Sequence, residues 1–294
     1  MQRLAAFIMR GPLQAALVTV IASVLPLLGW FSATAVALVT LRKGMVSGAL
    51  VIAISSAILL LFYGVQGLPL EIVLATVVQL WLPIFVLALW LRRTVSLAGT
   101  LRLAALLAGL AVVWMHTQHP DPQAFWRTLL ERMLQGMNVE QDDRFWAAAI
   151  EQLAPLMTSM MVLVQSAAVV IALLAARWLQ AMLYNPGGFR QEFHGLDLGR
   201  PMAAVVAALL LVAMWAGYGL VYDLAFVISA VFALQALALG HAVVAGRGSS
   251  RAWLVGMYLL LPLLFELAVV IGIADAVFNW RRRFLAGSGG SRAA

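Results

Sequence analysis

Nine apolar stretches stand out along the chain, at 12–28, 30–41, 45–64, 70–91, 98–116, 156–181, 201–220, 223–244 and 252–279. A helix needs about 20 apolar residues to cross a hydrocarbon core of about 30 Å. Most of the stretches meet that length. The second, WFSATAVALVT, would reach only about 17 Å at about 1.5 Å per residue, so it lies beside thinned bilayer or under the cover of neighbouring helices. The last is interrupted by Pro262 and carries Glu266 and Asp275; it either crosses once or folds back on itself. The first follows a basic start but has a long apolar run and no clear small-x-small cleavage site, so it reads as a retained span. The pattern predicts an all-α polytopic bundle of eight to ten membrane segments, a single membrane domain over 1–285, and a disordered Gly/Ser/Ala tail at 286–294.

Two polar segments interrupt the apolar pattern. In the loop 117–155, Trp126, Leu130, Met133, Leu134 and Met137 fall on one helical face, and Phe145, Trp146, Ala149, Ile150 and Leu153 on another. Asp142 is a natural N-cap for the second helix. Both helices are predicted to lie on the membrane surface or to cap the bundle. The elbow 183–200 contains NPGG, a turn signature, then Phe189, Phe193 and Leu196 at helical spacing. A short interfacial helix stopped by Gly195 follows from this, with Asp197 or Gly199 capping the next segment and Pro201 in its first turn.

Composition narrows the solvent. The chain is 64% hydrophobic and 11% charged, has no cysteine, and carries a net charge of +7. A mean hydropathy of +0.99 does not suit a water-soluble globule, so lipid bilayer is the main partner and nucleic acid is not one. The arginine excess reads instead as an orientation signal. With the N-terminus in the cytoplasm and nine crossings, twelve of the nineteen Lys and Arg residues fall inside. Merging the first two spans would throw Arg42, Lys43, Arg92 and Arg93 outside. The tail Arg281, Arg282 and Arg283 breaks the pattern unless the last stretch folds back.

The segments PLLG at 26–29, ALVTLRKG at 37–44 and RWLQAMLYNPGGFRQEFHGLDLGRP at 177–201 resemble the YybS-like family of bacterial multi-pass membrane proteins, over most of the chain. The resemblance implies a bacterial inner-membrane protein, distantly similar to the substrate-binding subunits of energy-coupling-factor vitamin transporters. Those have six spans, both ends inside and a short early helix. The first six spans fit that outline; three further spans and the long outer loop do not. The resemblance transfers no functional residue.

Ionisable and amide side chains inside spans are costly and mark candidate sites. Here they are Gln79, Gln165, Gln235, His241, Glu266 and Asp275, with Glu71 and Asp223 near span ends. Glu266 follows Pro262 by four residues, placing a carboxylate beside the carbonyl that the proline frees on the same helix; it is either a cation or proton site or a partner for an Arg or amide of another helix. Gln79 precedes Pro83 by four, and Gln165 sits among Thr158, Ser159 and Ser166; such residues either bond helices together or line a cavity. Glu266, Gln79, Gln165 and Asp275 are the candidate ligand-binding residues. Arg190, Glu192, His194, Asp197 and Arg200 of the elbow are candidates for contact with a protein partner or lipid headgroups, if the elbow is more than an anchor. Gly44 with Gly48, and Ala104 with Ala108, predict close helix packing. HTQHPD at 116–121 has poor metal-ligand geometry, and no catalytic or phosphate-loop motif is present. The expectation is a non-enzymatic protein without a cofactor or metal that binds or transports a small molecule. The alternative is a scaffold or regulator of a cell-envelope complex with a cytoplasmic or membrane protein partner.

Overall fold

A computed structural model describes residues 1–25, 27–137, 144–250 and 252–280; the proposed cap Asp142, the tail arginines and the 286–294 segment lie outside them. The helices in chain order are α1 Gln2–Arg10, α2 Pro12–Val24, α3 Gly29–Lys43, α4 Met45–Val65, α5 Glu71–Thr76, α6 Leu82–Thr94, α7 Leu97–Gln118, α8 Pro122–Gly136, α9 Arg144–Leu153, α10 Met157–Tyr184, α11 Gly188–His194, α12 Arg200–Ala216, α13 Leu220–Arg247, α14 Ala252–Leu260 and α15 Phe265–Phe278. A π-helical turn, Val77–Trp81, joins α5 to α6. Each of the nine apolar stretches contains helix, and among the described residues the architecture is an all-α bundle. Among the described residues, five helical runs are long and apolar enough to cross a membrane: Met45–Val65, Glu71–Thr94, Leu97–Gln118, Arg144–Tyr184 and Leu220–Arg247. The protein is on this ground a membrane protein. The chain forms two compact units, residues 1–104 with 165–196 and residues 105–164 with 197–294.

The centre of the first unit is α3, the stretch too short for an ordinary span. Every residue from Ser32 to Leu41 is buried, and α1, α2, α4 and α6 all pack against it. Of the two placements open to this segment, protein cover is the one adopted. Its polar groups are matched locally: Trp81 Nε1 donates to Ser32 Oγ at 2.9 Å, and the Ser32 hydroxyl donates to the Gly29 carbonyl at 2.6 Å. At the C-terminus, where helix carbonyls lack intrahelical partners, the Arg92 guanidinium donates to the carbonyls of Leu41 and Arg42 at 2.7 and 2.6 Å. Gly44 turns the chain into α4 with φ +95°, a conformation that favours glycine. Gly48 allows the close approach expected of it, since a Cβ there would meet the Thr40 hydroxyl and, at 2.9 Å, the Phe85 ring. Gly44 is therefore a hinge between helices, while Gly48 is the contact.

In the second unit, α13 packs against α12, α14 and α15. Phe226 meets Phe265 with ring centroids 5.7 Å apart, the Phe232 carbonyl fills the space of a side chain at Gly272, and Gln235 bonds Asp275. The paired positions advance together, so α15 runs parallel to α13. The intervening α14 lies beside the later part of α13, where His241 Nε2 and Tyr258 Oη are 2.9 Å apart. Residues 258 to 265 thus carry the chain back past fifteen residues of α13, about 22 Å at about 1.5 Å per residue. The chain turns through 116° between α14 and α15. The last apolar stretch therefore folds back rather than making a single straight crossing. Pro262 explains the break, because it removes a helical N–H donor and its ring crowds the preceding turn.

The outer-loop helices cap this unit. Trp126 of α8 is buried and donates from Nε1 to Thr158 Oγ1 of α10 at 2.8 Å. Arg127 of α8 pairs with Glu151 of α9 at 2.9 Å. Of the amphipathic faces read from the sequence, Trp126 and Ile150 are buried, whereas Met133, Met137, Phe145, Trp146 and Leu153 are exposed.

The fold-back predicts which chain ends share a side. In this cysteine-free protein, single cysteines placed at Asp197 and Asn279 should react with an impermeant thiol reagent from the same side of sealed vesicles. One at Gln118 should react from the opposite side. Labelling of the Asn279→Cys and Gln118→Cys variants from one side would refute the reversed path.

Candidate functional site

Four helix ends meet around a cavity of about 200 Å³ in the second unit. The end of α7 contributes His116, and the turn after it Pro120. Asp121, Pro122 and Gln123 come from the start of α8. Pro155 and Thr158 come from the junction leading into α10, and Gly219, Leu220 and Asp223 from the start of α13. Local sequence explains the convergence. Asp121 caps α8 by accepting the Ala124 N–H at 3.0 Å, Pro122 sits in its first turn, and Gly219 turns into α13 with φ +151°.

His116 Nε2 and Asp223 Oδ2 are 2.8 Å apart. The Asp223 side chain is 3% exposed and that of His116 16%. Electrostatics favours both placements, since a carboxylate is stabilised in the first turn of a helix and an imidazolium in the last. The second carboxylate oxygen, Asp223 Oδ1, is buried and accepts no hydrogen bond. Ser159 approaches the carboxylate through its hydroxyl and backbone N–H without either reaching hydrogen-bonding geometry; the hydroxyl donates to the Leu156 carbonyl instead, at 3.0 Å. The arrangement is a buried acid with one oxygen held by an imidazole and the other enclosed, at the wall of a cavity.

The pair unites residues that the sequence presents separately, His116 within HTQHPD and Asp223 near the start of a span. The two lie 107 positions apart, beyond any local motif. The signal available was that each is an ionisable group about one turn inside a helix end. The rest of HTQHPD has other uses: His119 stacks on Phe125 at 3.9 Å, and Asp121 is the cap of α8. Among the described residues, no group of three or more His, Asp or Glu side chains is placed to hold a metal ion.

The sequence candidates fall in several places. Gln79 lies in the π-helical turn, and Gln165 Nε2 donates to its backbone carbonyl at 2.8 Å. Pro83 lies four residues later and supplies no N–H for that carbonyl, so Gln165 replaces the missing helical bond. Asp275 is buried against α13, where Gln235 Nε2 donates to its Oδ2 at 2.9 Å. Gln235 Oε1 in turn accepts the Leu198 N–H at 2.9 Å. Glu266 is exposed in the first turn of α15, within electrostatic reach of Tyr222. It shares no helix with Pro262, because the chain breaks before it; the parallel register sets it near the start of α13, away from the middle of the bundle.

The elbow forms the expected short helix α11, entered through Gly187 at φ +87° and ended by Gly195. Its charges are partly committed. Glu192 pairs with Arg177 at 2.7 Å, and Arg177 also donates to Gln180 Oε1. Asp197 Oδ1 accepts the Gly199 N–H at 2.8 Å, and Arg200 Nε donates to the Val277 carbonyl at 3.1 Å. His194 is half-buried, while Arg190 is exposed. Comparison with protein families, with curated proteins and with solved structures finds no match to this chain.

The Gln165 contact gives a direct test. Gln165→Leu should cost about 1 kcal/mol of stability, the usual size of a hydrogen bond between membrane helices. In a Pro83→Ala background that cost should shrink, because the restored N–H can serve the Gln79 carbonyl. Unfolding of both variants and the double variant in detergent micelles measures the coupling, and strict additivity would contradict the assignment.

Proposed function

We propose that this protein binds or transports a small molecule in a bacterial inner membrane, and that the ligand is held in the cavity beside Asp223. The carrying observation is the buried His116–Asp223 pair on the wall of a cavity where four helix ends meet. Polar groups that converge on a cavity mark the first place to seek a ligand. The volume limits that ligand. At about 30 Å³ per water, about 200 Å³ holds roughly six or seven waters, below the pockets of about 300–1,000 Å³ that take drug-sized ligands. The bacterial setting rests on the resemblance of the NPGGF and arginine–lysine–glycine segments, and the membrane setting on the apolar helices.

Gln79, Gln165 and Asp275 serve this reading indirectly, by holding the helices together, and Glu266 is not among the cavity's lining residues. The expected result is a small-molecule adduct on the wild-type protein in native mass spectrometry after gentle extraction from its own membrane. The Asp223→Asn variant should lose it while unfolding within a few degrees of wild type. An adduct retained in Asp223→Asn, but lost in Glu266→Gln, would move the site to α15.

A further inference from the structure

We infer that the end of the first unit where α3, α6 and α10 finish is a docking face for an anionic phospholipid; this stands apart from the cavity of the second unit. The first unit holds nine Lys and Arg residues and two carboxylates, Glu71 and Glu192. That excess of seven equals the net charge of the whole chain, because the second unit carries ten of each sign. Neither carboxylate offsets it at this end. Glu192 is taken by Arg177 at 2.7 Å. Glu71 starts α5, and the 21 residues of α4, roughly 30 Å at about 1.5 Å per residue, separate Gly44 from the turn that precedes it.

Contacts gather the cations. Arg92 of α6 bonds the last carbonyls of α3, beside Arg42 and Lys43. Arg42 lies 4.2 Å over the ring of Tyr184, the last residue of α10. Arg93 follows Arg92, and Arg190 on α11 follows the end of α10. α1 joins the same end, because α2 and α3 pack as an antiparallel hairpin whose open end carries Gly11 and Lys43, and α1 packs on both. Arg3, Lys43, Arg93 and Arg190 are exposed, and among the described residues their side chains have no hydrogen-bond or ion-pair partner.

Insertion into a membrane accounts for cations on one side but not for this lack of acids, since Asp and Glu contribute little to orientation. A positive face without internal counter-charge suits an anion, and guanidinium forks match phosphate oxygens. The apolar surroundings say which anion. Met45 and Val46 beside Lys43, Trp90 about one turn before Arg93, and Tyr184 against Arg42 are all exposed. Trp and Tyr at such places mark the headgroup level of a bilayer. An occupant that meets both kinds of group carries a phosphate and acyl chains, which an acidic protein segment lacks.

The test is native mass spectrometry of the full-length protein, equilibrated in detergent micelles with equal amounts of phosphatidylglycerol and phosphatidylcholine. Wild type should retain phosphatidylglycerol about tenfold over phosphatidylcholine, since each cation near an anionic headgroup adds about a fivefold preference. The double variant Lys43→Gln with Arg93→Gln should cut that ratio about fivefold or more. Arg132→Gln with Arg144→Gln removes the same charge from the second unit and should leave it within about twofold. If the first double variant fails to fold, Arg3→Gln with Arg190→Gln takes its place, with the same loss expected. An equal loss in the first-unit and second-unit variants would show that net charge alone attracts the lipid and would overturn the site. A wild-type ratio below about twofold would overturn it too, whether or not an acidic protein is then found on this face.

Discussion

Hydrocarbon offers a polar group no partner, so each one that an apolar helix carries must be matched within the protein. That constraint organises both units. Pro83 frees the Gln79 carbonyl, and Gln165 bonds to it. The buried Trp81 indole N–H would lack an acceptor, and the Ser32 hydroxyl supplies one. Gln235, fully buried, uses both ends of its amide, accepting from Leu198 at the elbow and donating to Asp275 on α15. The same residue thus fixes the start of α12 and the end of α15 against α13, and the Arg200 contact to the Val277 carbonyl reinforces the junction. Polar residues that look like candidates for chemistry are here largely the means by which helices hold one another.

The reversal at Pro262 follows from this stitching. A single straight helix over 252–279 could not place Tyr258 beside His241, Phe265 beside Phe226 and Asp275 beside Gln235, since α13 would have to be read in both directions. The break lets α14 climb and α15 descend. Gly272 has to be glycine for the descent, because the Phe232 carbonyl lies where a Cβ would be. The end of α15 comes to the elbow end of the unit, where Arg200 Nε donates to the Val277 carbonyl.

Much of this was legible in the sequence because hydropathy reports solvent. The nine apolar stretches, the surface helices of the 117–155 loop, the α11 elbow with its Gly195 stop, and the covered α3 all follow from patterns within about 20 residues. The Pro83–Gln79 spacing even marks the carbonyl that needed a partner. What did not follow was pairing over distance. His116 and Asp223 become a couple only when α7 and α13 are set side by side, and Gln235 meets Asp275 only through the parallel register that the turn at Pro262 imposes. Glu266 was misplaced for the same reason: proline spacing assumed one helix, and the chain forms two.

Burial alone does not separate the structural carboxylates from the one that faces a cavity. Asp275 and Asp223 are both buried, and each gives one oxygen to a partner. Glu192 also has a buried oxygen without a hydrogen bond, but its charge is balanced by Arg177 at 2.7 Å. Asp223 differs in what surrounds it. Its partner is an imidazole whose charge depends on protonation, it lines a cavity, and it stands where four helix ends converge. Helix ends can shift with less loss of packing than helix middles, because fewer backbone bonds and buried contacts hold them. A site built from ends can admit a ligand without opening the bundle, which the fully interlocked Gln235–Asp275 junction could not do.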